Sequence, residues 1–160
     1  MQYLSYAGIG LAIVIFQVLI SRFLSIAGAS PDFLLIFLIF ITIREGQFIG
    51  MTAAFLLGLT LDMFGAGPLG WHAVSKVVAC FLVGFFYNPD RIEQFLRNWP
   101  FLLLTLLGAL INNAIYYFLY TRGSNISFGD FALLYGGVGA TYTVAIAIIP
   151  LLYLSRRRAY

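Results

Sequence analysis

Charge is what this chain has least of. Only 9% of its 160 residues are Asp, Glu, Lys or Arg, whereas 62% are hydrophobic. A soluble domain is about half apolar and about a quarter charged, so a soluble fold of this length would have too little charge to cover its surface. The solvent for most of that surface is lipid. Cysteine is nearly absent too. Cys80 stands alone, which excludes an internal disulfide and leaves a thiolate metal site short of ligands. Inside an apolar run, it reads as a small buried residue. The one histidine, His72, has no Ser or Cys at nucleophile spacing. The chain has no HExxH, no P-loop and no paired inward carboxylates. The expectation is a protein that is not an enzyme, with no cofactor and no metal. The net charge of +3 is small. The Arg156-Arg157-Arg158 triplet directly follows an apolar span, so it reads as a stop-transfer anchor drawn to anionic lipid, and no nucleic-acid partner is expected.

Long apolar runs, in contrast, are plentiful. Crossing about 30 Å of hydrocarbon takes roughly 20 residues of helix. Six segments fit, at about 4–21, 24–43, 47–64, 71–87, 99–120 and 131–154. Phe33-Leu34-Leu35-Ile36-Phe37-Leu38-Ile39-Phe40 does not alternate apolar with polar residues, as a membrane β-barrel strand would. The expected fold is an all-α bundle of six transmembrane helices. Residues 1–160 form a single domain, since no linker or low-complexity stretch divides them. No internal repeat is visible, which counts against an inverted-repeat transporter. With both termini cytoplasmic, Arg44, Arg91, Arg97 and the Arg triplet lie inside, and only Arg22 and Arg122 lie outside. That asymmetry follows the positive-inside rule. Ala27-Gly28-Ala29 has the look of a signal-peptide end. Lys and Arg are missing ahead of the apolar stretch and Arg22 interrupts the approach, so a retained first helix is expected.

Polar residues within these spans carry the information. Ser30-Pro31-Asp32 reads as a helix start, with a Ser cap, a Pro in the first turn and an acid against the positive end of the dipole. Span three repeats small residues at Gly46, Gly50, Ala54 and Gly58 and then reaches Asp62, a row along which a second backbone can approach closely. Gly136, Gly139, Ala140 and Thr143 give span six a similar face. The row makes span three the expected centre of the bundle. A Gly-rich turn, Gly65-Ala66-Gly67-Pro68-Leu69-Gly70, then folds span four back, and His72 and Lys76, four apart, share a face of it. Asp62, His72 and Lys76 thus fall near one another. They form either an ion pair fixing the register of the hairpin or a proton relay or anion site; the pair is favoured because no further acid or His extends a relay. Asn112 and Asn113 in span five are interhelical glue, or else line a ligand pocket.

At the other end, Asn88-Pro89-Asp90-Arg91-Ile92-Glu93-Gln94-Phe95-Leu96-Arg97-Asn98-Trp99 predicts a short amphipathic helix at the cytoplasmic interface, with Ile92, Phe95, Leu96 and Trp99 on its apolar face. Trp71 and Trp99 are expected at span ends as headgroup anchors. Pro150 is expected to kink the last span.

Taken together, Ser30-Pro31-Asp32-Phe33-Leu34-Leu35, the run from Gly50 through Gly58 to Asp62, and Gly67-Pro68-Leu69-Gly70 resemble the MreD family of bacterial rod shape-determining membrane proteins. The informative stretch is residues 30–76, with Ile126-Ser127-Phe128 a weaker echo. The resemblance implies a non-enzymatic scaffold of the cell-elongation machinery in the bacterial inner membrane. It would bind an MreC-like protein and, through it, MreB, the RodA glycosyltransferase and a class B penicillin-binding transpeptidase. It also implies a fold like the substrate-binding component of energy-coupling-factor transporters. The alternative function is therefore a vitamin-binding transporter subunit, with Asn112, His72 and Lys76 lining its pocket. Those components commonly carry Ala-x-x-x-Ala on an early helix; Gly8-x-x-x-Ala12 is a near match only.

Overall fold

The computed structural model describes residues 2–20, 23–24, 30–65, 68–121 and 136–156, and these are helical and connecting backbone without a strand. In chain order they form α1 (Gln2–Ile20), α2 (Phe33–Glu45), α3 (Gln47–Phe64), α4 (Trp71–Gly84), a 3-10 turn (Pro89–Arg91), α5 (Ile92–Leu96), α6 (Pro100–Thr121) and α7 (Gly137–Arg156). Three of them, α1, α3 and α6, are long and apolar enough to cross a membrane; α4 and the Gly137–Leu152 part of α7 are apolar but shorter. Large side chains such as Leu4, Ile15, Leu19, Phe48, Leu56 and Ile149 stand exposed on the outside. That surface suits hydrocarbon.

The centre of the bundle is α2, not α3. Leu34, Leu35, Leu38, Ile39, Ile41 and Ile43 of α2 are all buried. The helix packs against α1, α3, α4, α5, α6 and α7. Leu35, Ile36, Ile39 and Ile43 meet Ala79, Val83, Phe101 and Leu104, while Leu34 and Leu38 meet Val14, Ala54, Leu57 and Cys80. Cys80 is wholly buried, as expected of a small apolar residue. The expected central position of span three is corrected by its outer face, where Phe48, Phe55, Leu56 and Met63 are exposed. Its small-residue row does permit close approach. A Cβ on Gly50 would lie 2.9 Å from Thr42 Cα in α2, and one on Gly58 would lie 2.7 Å from Ala73 Cα in α4.

The helix connections are short. Gly46 alone links α2 to α3, at φ 100° and ψ 168°, a conformation open in practice only to glycine. The amphipathic helix is present as the 3-10 turn and α5. Its apolar face packs onto the protein rather than lying free at an interface, since Ile92, Phe95 and Leu96 join the core around α2 and α6. Pro100 opens α6, where a missing N–H costs nothing. Trp99 is exposed just before it. Pro150 lies inside α7.

Candidate functional site

A helix that starts inside an apolar bundle has a problem at its N-terminus. Its first amides have no helical acceptor, and lipid offers none. At about 1.5 Å per residue, the 13 residues of α2 span about 20 Å, well short of the hydrocarbon thickness. Side chains from two other helices and from its own cap satisfy its leading amides. The amide of Asp32 donates to Thr143 Oγ1 of α7 at 3.1 Å, that of Leu34 to Gln17 Oε1 of α1 at 2.9 Å, and that of Leu35 to Asp32 Oδ1 at 2.9 Å. Gln17 Nε2 also donates to Asp32 Oδ1 at 3.2 Å. The Lys76 ammonium of α4 closes on Asp32 Oδ2. Asp32 thus ties α1, α2, α4 and α7 together.

The other short helix solves the same problem with a borrowed cap. Asp62, at the end of α3, accepts from Gly70 N at 2.9 Å, His72 N at 3.2 Å and Ala73 N at 3.2 Å, the first turn of α4. Gly70 takes φ 95°, the left-handed region, so that the chain turns into α4 with these amides facing Asp62. Both carboxylates therefore sit at helix N-termini, where the dipole favours negative charge.

This arrangement corrects the expected pairing of Asp62 with Lys76. Asp62 already holds three amides and the helix dipole, so it needs no cation. Asp32 holds two neutral donors, and Lys76, 0% exposed, needs a carboxylate. The expected Ser30 cap is corrected as well: α2 begins at Phe33 with Asp32 as its N-cap, and Asp32 also serves as the counter-ion.

Beside this hub lies a cavity of about 230 Å³ lined by Gln17, Asp32, His72, Asn112, Asn113 and Tyr116 among others. The His72 ring stacks on Tyr116 at 4.5 Å, and Trp71 meets Tyr116 and Tyr120 edge-on at 6.3 Å. Asn113 acts as glue, donating to Gly136 O of α7 at 2.9 Å. Asn112 is 3% exposed and donates to Asn113 Oδ1 at 3.2 Å.

Of the residues singled out in the sequence, Pro31, Asp32, His72, Asn112 and Asn113 come together around the cavity. Lys76 is buried behind it, and Gly58, Asp62 and Gly70 build the adjoining α3–α4 corner. Gly50 lies apart, packed against Thr42. Pro68 is exposed, and Gly67 lies outside the described residues, as do Arg22, Arg122 and Ile126-Ser127-Phe128. Gln17, Tyr116 and Thr143 join the site without a clear signal in the sequence. A lone amide in the first apolar span was the available signal for Gln17. Nothing local marked Tyr116. Thr143 was visible only as part of the small-residue face of span six.

A bundle of apolar helices whose buried carboxylates are spent on helix ends and an internal counter-ion defines a helical membrane protein of structural type. Its family follows from the whole chain. The model of the rod shape-determining protein MreD matches residues 2–154, so the chain belongs to the MreD family. It is a rod shape-determining membrane protein, of a family of shape-determining structural proteins rather than a known enzyme family. No curated protein and no solved structure matches the chain.

Proposed function

We propose that this protein is a non-enzymatic scaffold of the cell-elongation complex in the bacterial inner membrane. It binds an MreC-like protein and, through it, serves MreB, RodA and a class B transpeptidase in peptidoglycan synthesis. The observation that carries this reading is the use made of the buried charges. Asp32, Asp62 and Lys76 are engaged in holding helices to one another, as a rigid docking body requires. The family match over residues 2–154 supplies the cellular process.

The same proposal includes a single domain over residues 1–160 that crosses the membrane six times with both termini cytoplasmic. Four helices besides α1 and α3, namely α2, α4, α6 and α7, are then spans. Non-helical backbone at membrane depth is tolerated where protein groups satisfy it, and those found at Asp32, Leu34 and Leu35 support this topology. Asp62, Gly58 and Gly70 then shape the outer α3–α4 corner, and Pro31 and Asp32 place the start of α2.

Co-purification from membranes tests the scaffold. Retention of an MreC-like protein by the tagged chain, together with restored rod shape in a depleted strain, is the expected result. Shape rescue without any such association would sink the scaffold reading. A small-molecule-binding transporter subunit remains the second reading, favoured by the cavity that His72 and Asn112 line. Lys76 does not serve that pocket, being closed on Asp32. Saturable binding of a vitamin-sized ligand together with an ATPase module would replace the first reading by the second.

A further inference from the structure

Of the three long apolar helices, α1 is the least enclosed: 11% of its span is buried, against 33% for α3 and 28% for α6. In lipid this difference matters. Acyl chains are as apolar as leucine, so helices there are held together by packing and hydrogen bonds rather than by the hydrophobic effect. The half of α1 from Gly10 onward has both. Gly10, Val14 and Gln17 are buried along one face. Gly10 lies close against Leu57 of α3, and Gln17 is bonded to Asp32 and Leu34 at the start of α2. The first turns have much less. Tyr3, Leu4, Ser5, Ala7 and Gly8 are exposed. The Tyr6 hydroxyl donates to Glu45 Oε1 at the end of α2 at 2.8 Å, and its ring meets Phe37 edge-on. Glu45 does not depend on that donor, because Arg44 Nε lies 3.4 Å from the same oxygen.

Beside these turns lies an open space of about 530 Å³, lined by Tyr3, Tyr6 and Ala7 of α1 and by Phe48, Thr52 and Leu56 of α3. Gly8 stands between the loose turns and the packed half. Closeness to Leu57 explains Gly10, but a Cβ on Gly8 would meet nothing within 4 Å, so packing does not call for a glycine there. Two glycines this near one another weaken a helix and let it bend. We propose that residues 2–7 are a movable arm that bends at Gly8 and swings into the space beside α3. The Tyr6–Glu45 hydrogen bond is the catch that holds it against α2. Residues 10–20 stay packed, so the bundle itself does not open. Swinging covers Phe48 and Leu56 and withdraws Tyr6 from Phe37 and Glu45. This device goes beyond the scaffold reading and does not rest on it.

The test uses the full chain in nanodiscs, with Cys80→Ala so that only introduced thiols react. Spin labels are placed at Leu4→Cys and Leu103→Cys, and in a control pair at Ile15→Cys and Leu110→Cys, all exposed positions. Double electron–electron resonance should give two distances for the first pair and one for the control. Tyr6→Phe should raise the second population about fivefold, the weight of one hydrogen bond. Gly8→Ala should lower it about fivefold by stiffening the helix, so either variant serves if the other fails to fold. Continuous-wave broadening of a third pair, Leu4→Cys with Phe48→Cys, should grow with the second population, because the swing is towards α3. A single distance for the Leu4–Leu103 pair in both wild type and Tyr6→Phe overturns the proposal. So does a second population that the folded variants leave unaltered. A second distance in the control pair overturns it too, since α1 would then move as a whole.

Discussion

Lys76 reaches from α4 to Asp32, 44 positions earlier in the chain, and buries its ammonium against a carboxylate that also caps α2. One ion pair thus joins the start of the central helix to the helix packed beside it. Its worth depends on both partners being present. Breaking a buried pair leaves a charge without compensation, which costs about 3–5 kcal/mol, whereas removing both charges costs far less.

A double-mutant cycle on this pair is the first prediction. Asp32→Asn and Lys76→Met should each destabilise the protein by about 3–5 kcal/mol, and the double variant should recover a substantial part of that loss. The same cycle with Asp62→Asn in place of Asp32→Asn should be much closer to additive, because Asp62 bonds amides rather than the ammonium. Reversible unfolding in mixed detergent measures both cycles. A larger coupling for Asp62 than for Asp32 would contradict the arrangement described here.

Capping of α4 gives a second expectation. Asp62→Ala leaves the amides of Gly70, His72 and Ala73 without their acceptor. The cost should be about 1–3 kcal/mol. Asp62→Asn should lose less, since an amide oxygen still accepts while the charge–dipole attraction is lost. Hydrogen exchange should quicken first in the opening turn of α4, and equal losses for Ala and Asn would assign the whole effect to charge.

Close packing of α3 on α4 yields a third. Gly58→Ala drives a Cβ to 2.7 Å from the Ala73 backbone, which cannot swing aside. Overpacking of this kind costs about 1–3 kcal/mol. Gly8→Ala meets nothing within 4 Å and should be neutral or slightly stabilising through helix propensity. Thermal melts of the two variants side by side separate a packing requirement from a general dislike of change at glycine.

The amides at the start of α2 give a fourth. Thr143→Val removes the acceptor for Asp32 N, and Gln17→Leu removes the acceptor for Leu34 N along with one donor to Asp32. Each should cost about 1–3 kcal/mol. Thr143→Ser keeps the hydroxyl and should recover most of its share. A harmless Thr143→Val would mean that another group takes that amide.

Topology offers the fifth. Reporter fusions at residues 90 and 160 should behave as cytoplasmic, and those near 67 and 124 as external. An external C-terminus would overturn the even number of spans.

Composition and pattern by themselves determined the solvent of this protein, its helical class and most of its helix positions. The scarcity of charge requires lipid, and long apolar runs in lipid have to be helices, because backbone groups there can pair only within the chain. A helix start near Pro31, though not its capping residue, the turn at Gly70 and the close-packing row of Gly50 and Gly58 were also legible, since turn and small-residue signals act over a few positions. Tertiary structure alone decided the rest. The spacing pairs Lys76 with Asp62 and marks Asp32 only as part of a helix start, yet Lys76 goes to Asp32. Asp62 is nearer along the chain, but three amides at 2.9 to 3.2 Å already occupy it. Likewise the row in α3 suggested a central helix, yet α2, packed on by α1, α3, α4, α5, α6 and α7, took that place while one face of α3 stays exposed. Gln17, Tyr116 and Thr143 join the site from α1, α6 and α7, across separations that no local spacing encodes. Partner choice among buried charges depends on which groups are already satisfied, and that is known only once the helices are packed.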